Sequence, residues 1–360
     1  LPAIERLLDH EWNYITFPST HWRETLLGSN VRGLGLERKA GFMSTVLRFC
    51  IALLSSAVLI AQPLAAQTAG LHVVVTSKPI HALVADIMQG MGTPQLLVDG
   101  TASPHTFSMR PSDAQKLSRA GVFFRVSEAL EPFTAKVVRA LPRSVKTVTL
   151  AEAPGVTLLQ RRTGGPFEAH KHSHTHGKHK HGSEPDELYD AHVWLDPANA
   201  KAMARAIAST LAEVAPAEAA RFNANADALA ARLDDLSAAL KLELAPVAER
   251  PFVVLHDAYQ YFEKSFGLSA IGSILVDPDE QPSARRISDL RRKVGQLSAV
   301  CAFAEPGQQP KIVASVTEGT PTRRAILDPE GIMLEPGPDL YFKLMRGLAN
   351  TMKTCLAAPA

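Results

Sequence analysis

Residues 197–247 read "PANAKAMARAIASTLAEVAPAEAARFNANADALAARLDDLSAALKLELAPV". The run is rich in Ala and Leu, its apolar residues recur at a spacing near 3.6, and Pro216 interrupts it once. That pattern predicts two helices, the second a long one over about 217–244. What flanks them decides the fold. Upstream, "LHVVVTS" (71–77) is a β-branched strand, and Pro79 opens a helical pattern through "IHALVADIM" that Gly90 and Gly92 end. "QLLVDG" is a second strand, "PSDAQKLSRA" a short helix with Ser112 as N-cap, and "GVFFRVS" a third strand; "EPFTAKVVRAL" and "VKTVTL" add a helix and a strand. Downstream the alternation restarts: "PFVVLHDAY" runs from strand into helix, "LSAIGSIL" is a strand and "SARRISDLRRKVGQL" a helix. "AVCAFAEP" and "RRAILDP" are strands around the helix "PKIVASVTEGT", and "DLYFKLMRGLANTMKTCLAAP" is the closing helix. Strands separated by helices imply parallel sheets covered on both faces. The expected class is therefore α/β. Two (β/α) lobes, 70–195 and 248–360, are joined by connecting helices over 196–247 that act as a rigid backbone. Such lobes leave a cleft lined by strand-end loops.

The rest of the composition bounds the function. With 46% hydrophobic and 21% charged residues and a net charge of +2, the chain has globular composition and no basic stripe, which argues against a nucleic-acid partner. From Met43 the segment "MSTVLRFCIALLSSAVLIAQPLAAQTAG" has one Arg, an apolar run, and small residues around Ala65 and Ala66. This is the layout of a secretory signal peptide, expected over 43–66, with a retained membrane anchor as the alternative. Residues 1–42, upstream of it, are expected to be a non-native extension. Export places the mature chain in an oxidising compartment, where Cys301 and Cys355 are expected to pair rather than remain as buried free thiols.

Histidine carries the chemistry. Six of the thirteen histidines (His170, His172, His174, His176, His179 and His181) fall in a Gly/Lys/Ser-rich tract without apolar periodicity. A loop over 160–190 that cannot bury enough surface to repay its ordering entropy is expected to be disordered. Its imidazoles would bind metal weakly and at several stoichiometries, and a neutral linker is the alternative. Three others stand in predicted loops at strand ends: His105 in "SPHTFSMRPSD", His192 in "AHVWLDP" and His256 in "LHDAYQYF". One such histidine is ordinarily a surface or satisfied core group. Three at the cleft, drawn from both lobes, suit a metal site, since neutral imidazole is a good zinc ligand. His81 reads as a helix-start residue at the cleft rim and His72 as a packed edge residue. Asp257, Tyr259 and Glu305 are candidates to orient His256.

The ordered set "PHTFSMRPSD", "HVWLDP", "HDAYQYFEKSFGL", "CAFAEP" and "AILDPEG" resembles the ZnuA-like family, the periplasmic zinc-binding components of ABC zinc importers within the cluster A-I solute-binding proteins. The resemblance spans residues 71–356. It implies His105, His192 and His256 as metal ligands, Cys301 and Cys355 as a disulfide pair, and Zn²⁺ as the transported ligand. It also implies a membrane permease as partner, a periplasmic zinc chaperone as a further one, and limited hinge motion. The His-rich tract matches the place of a His/acidic loop in the family and implies low-affinity capture, buffering or sensing of zinc. Pro104 stands where some relatives carry a Glu ligand, leaving Asp328 or a water for the fourth position; an Asx turn before Pro329 is the alternative role for Asp328. Manganese-binding relatives carry Glu in place of His256, so three imidazoles suit zinc, although other late first-row ions would also bind. The expected protein is a monomeric binding protein and not an enzyme. A metallohydrolase is the competitor from another class, because an open three-histidine site also describes catalytic zinc. No HExxH-like run accompanies the histidines. A metallochaperone or zinc reservoir that never meets a permease is the second competitor.

Overall fold

Short runs of β-branched and aromatic residues form the strands at 73–75, 122–125 and 252–254, and each crossover between neighbouring strands is long enough to make the pairing parallel. The computed structural model describes residues 71–162, 167, 189–275, 283–307 and 310–357. All of them belong to the unit Gln67–Ala360. The expected upstream extension, the signal peptide and His170 to His181 lie outside the described residues. In the first lobe β1 (Val73–Val75), β2 (Gln95–Leu96), β3 (Val122–Arg125) and β4 (Lys146–Thr149) form a sheet of order β2-β1-β3-β4. In the second, β5 (Phe252–Val254), β6 (Ala270–Ser273), β7 (Cys301–Ala304) and β8 (Arg323–Ile326) repeat that order as β6-β5-β7-β8. Every pairing is parallel, with Val73 opposite Val122 and Phe252 opposite Cys301 at the two sheet centres. The central strands β1, β5 and β7 are buried on both faces, which is why they read as continuous apolar runs rather than alternations.

The first-lobe helices are α1 (Lys78–Ile87), α2 (Pro111–Ser118) and α3 (Thr134–Ala140). The predicted cap of α2 moves: Pro111 occupies the first helical turn, so Arg110 is the N-cap instead of Ser112, and its N–H donates to the Asp113 carboxylate at 3.0 Å. The stretch that opened the sequence reading forms α4 (Pro197–Val214) and α5 (Ala219–Leu244). Asp196 caps α4 by accepting from the Ala198 N–H at 2.8 Å, with Pro197 at the first position, so "LDP" is a helix start. The second lobe adds α6 (Gln260–Phe266), α7 (Ala284–Gln296), α8 (Pro310–Thr317) and α9 (Leu340–Ala357). Gly267, at φ +72°, supplies the left-handed residue that ends α6.

Helix α5 packs along α4 and also touches α1, α6 and α9; α9, the last helix, packs on α1, the first. One continuous cluster of buried apolar residues therefore runs from Val73 and Ile80 through Trp194, Met203 and Leu233 to Phe303 and Met352. Cys301, opening β7, is bonded to Cys355, closing α9. No helix among the described residues is long and apolar enough to cross a membrane.

Candidate metal centre

Ligand-bearing loops in a parallel sheet gather at the carboxyl ends of the strands, and both lobes direct theirs toward one place. His105 lies between β2 and α2, His256 follows β5, and Glu305 follows β7. His192 heads a buried 3-10 turn, Val193–Leu195, held from the second lobe by Tyr341, whose hydroxyl donates to the Trp194 carbonyl at 2.7 Å. The structure brings His105, His192 and His256 together, with candidate donor atoms all within 4.8 Å of one another. The Nε2 atoms of His105 and His192 are 3.3 Å apart, and those of His256 and His192 are 3.4 Å apart. A tetrahedral ion 2.0–2.1 Å from each nitrogen would set them about 3.4 Å apart, so two of these separations already match zinc coordination.

The far ring nitrogens of His192 and His256 lie beside carboxylates, an arrangement that orients each ring with Nε2 toward a metal. His192 Nδ1 is 2.7 Å from Asp190 Oδ1, which also accepts the His192 backbone N–H at 3.0 Å. His256 Nδ1 is 2.8 Å from Glu305 Oε1, and the Tyr259 hydroxyl donates to that same oxygen at 3.1 Å. Tyr259 thus acts on His256 through Glu305. Asp257 does not face His256; its carboxylate is held by Arg162, at 2.9 Å from Nε, and Arg162 also donates to Glu263 at 2.8 Å. His81 is elsewhere, with Nε2 3.1 Å from the Pro94 carbonyl, and His72 is exposed rather than packed.

The structure does not bring Asp328 to the cluster. Its two carboxylate oxygens accept the backbone N–H groups of Ile332 and Met333, each at 2.9 Å, which is the turn-forming role of an Asp before Pro. The carboxylate that does approach belongs to Glu330, with Oε1 3.8 Å from His105 Nε2. Its Oε2 is buried without a hydrogen-bond partner, and the side chain walls a small cavity shared with His105, His256 and Glu305. Sequence reasoning missed Glu330 and Asp190. The signal for Asp190 was present in "DAHVW", where an acidic residue stands two positions before a ligand candidate.

Burial, and then the neighbouring imidazoles, hold His105 and His192 well below the ordinary histidine value, so both are neutral and ready to donate. Burial also depresses His256, but the Glu305 carboxylate outweighs it and pushes the imidazole up to about 9. Burial raises Glu330 to about 8. Both groups hold protons at pH 7 that a cation must displace. Metal affinity should accordingly rise with pH, by about tenfold per unit for each proton displaced, between pH 7 and about 9. Chelator competition at half-unit intervals checks this; a profile flat above pH 7 would contradict it. The stability sign is opposite for the metal-free protein. A folded-state value raised above the unfolded one stabilises below pH 6.5, and that stabilisation is lost as pH rises through about 9.

Two parallel-sheet lobes meeting at three clustered imidazoles define a two-lobed α/β protein with a candidate metal-binding cleft. The chain belongs to the ZnuA family, zinc-uptake complex component A, periplasmic, whose description matches residues 73–355. It is 44% identical over 305 residues to the high-affinity zinc uptake system protein ZnuA of Brucella suis, covering 79% of this chain and 91% of that one. The protein of the same name from Yersinia pestis is 34% identical over 315 residues, covering 85% and 96%. Among solved structures, a crystal structure of ZnuA superposes with a TM-score of 0.67 at 23% identity, covering 80% of this chain and 99% of that one. The family is one of transport components and not of enzymes, and it is periplasmic.

Proposed function

We propose that this chain captures Zn²⁺ in the periplasm and delivers it to the membrane permease of an ABC-type importer. His105, His192 and His256 supply three ligands, and Glu330 or a water supplies the fourth. The carrying observation is the spacing of 3.3 and 3.4 Å between imidazole Nε2 atoms from three separate segments. Relatives named for high-affinity zinc uptake support the same reading. The protein acts as a monomer after removal of its signal peptide, and its work is capture and release, with no reaction performed on a substrate. A periplasmic zinc chaperone is a further partner, and the six tract histidines add weak capture sites.

Calorimetric zinc titration of the mature chain, with and without residues 170–181, tests the division of labour. One tight site should survive the deletion while the weaker binding disappears. Loss of the tight site on deletion would overturn the assignment of the three-histidine cluster. Disruption of the gene should also abolish growth under zinc starvation, with rescue by added zinc; normal growth would favour the reservoir reading.

A further inference from the structure

Four hydrogen bonds from the first lobe end on one short segment of the second. Lys78, at the start of α1, donates from Nζ to the carbonyls of Ile332 at 2.8 Å and Leu334 at 3.0 Å. Trp194 Nε1 donates to the Pro329 carbonyl at 2.9 Å, and Ser103 Oγ donates to Glu330 Oε1 at 3.1 Å. The segment is braced from within, because Asp328 accepts from both Ile332 and Met333. It is also seated on α9: at Gly331, with φ +69°, an added Cβ would come within 3.2 Å of Leu340 and Leu344. Pro329, Glu330 and Ile332 wall the cavity that holds His105 and His256, while adjoining Met333 is 73% exposed. A braced strip of chain thus forms one wall of the histidine cavity, with Met333 on its exposed side.

We infer that residues 328–334 gate the metal site and that Lys78 is the latch, setting how fast the ion exchanges more than how tightly it is held. Ser103 lies in the His105 loop and Trp194 two residues beyond His192, so their bonds travel with ligand-bearing segments. Lys78 sits instead on α1, a helix buried along its whole length, and it grips backbone carbonyls outside the donor set. Lifting the strip is a step common to entry and exit, so a contact that resists lifting slows both.

The inference rests on reading the cluster as a zinc site, and stopped-flow exchange with zinc itself separates the two. In the full chain, Lys78→Met keeps the aliphatic stem and deletes the donors. Association and chelator-driven release should both accelerate about tenfold while Kd stays within about threefold, since both Lys78 hydrogen bonds to the gate are lost. Lys78→Arg, which retains donors, should restore most of the delay. Unchanged rates overturn the latch, as does faster release alone with a matching loss of affinity, which would make Lys78 a ligand-positioning residue. Hydrogen exchange on the unaltered protein stands even if the Met variant does not fold. Amides of Ile332 and Met333 should open far more often than those of β5, and equal protection overturns the gate. Failure of the unaltered protein to bind zinc would sink the site reading instead.

Discussion

His256→Ala should weaken tight zinc binding by about 100- to 1000-fold. Structural zinc sites bind with roughly 10–16 kcal/mol shared among four ligands, so one imidazole contributes about 3–4 kcal/mol. The change also takes the imidazole away from Glu305, whose buried carboxylate keeps the Tyr259 hydroxyl as a donor. A buried carboxylate that has lost one of its partners adds a stability cost to the lost affinity. Chelator competition gives Kd, and a thermal melt of the metal-free variant separates lost affinity from lost fold. Single changes between His170 and His181 should leave tight binding within about twofold, because the three-histidine cluster draws none of its ligands from that tract. A comparable loss from a tract histidine, or a change below about tenfold at His256, would place the tight site elsewhere.

Removing the Cys301–Cys355 bond by a double Ala substitution should lower stability by about 4 kcal/mol, since the bond closes a loop with a sequence separation of 54. For a chain of this size that corresponds to a fall of about 6 °C in Tm. The position makes the effect more than a matter of chain entropy. The bond fastens the start of β7 to the end of α9, and α9 covers α1, α5 and β8. The Cys355 carbonyl also accepts from the Arg323 side chain at 3.1 Å, so β8 is held at the same corner. Scanning calorimetry under oxidising and reducing conditions measures the loss. Below its lower melting point the variant should still bind one zinc tightly, because Glu305 leaves the opposite end of β7. A melt unchanged by reduction would show that the corner is held by packing alone.

Much of this was legible in the sequence because its signals are local. Alternating strand and helix runs, the Asp196–Pro197 helix start and the Ala/Leu periodicity of α4 and α5 each depend on a few neighbouring residues. The three histidines stood out because each sits just past a predicted strand or at the edge of a tract. The fourth position was harder. Asp328 and Glu330 lie two residues apart in "DPEG", and only the folded turn decides which carboxylate caps backbone N–H groups and which faces the imidazoles. Glu305 was among the residues expected to orient His256, but choosing it over Asp257 depends on two strands being adjacent, which no local pattern encodes. Lys78 offered no signal at all, since its acceptors lie 254 and 256 positions away.

The buried apolar cluster shared by both lobes has a consequence for anyone treating them as interchangeable modules. Because the C-terminal helix rests on the first helix of the N-terminal half, cutting the polypeptide between the halves would bare a water-averse face on each fragment. A chimera that grafts one lobe from a homologue must therefore carry the matching surfaces of α1, α5 and α9 with it. Otherwise it inherits a mismatched seam through the middle of the molecule.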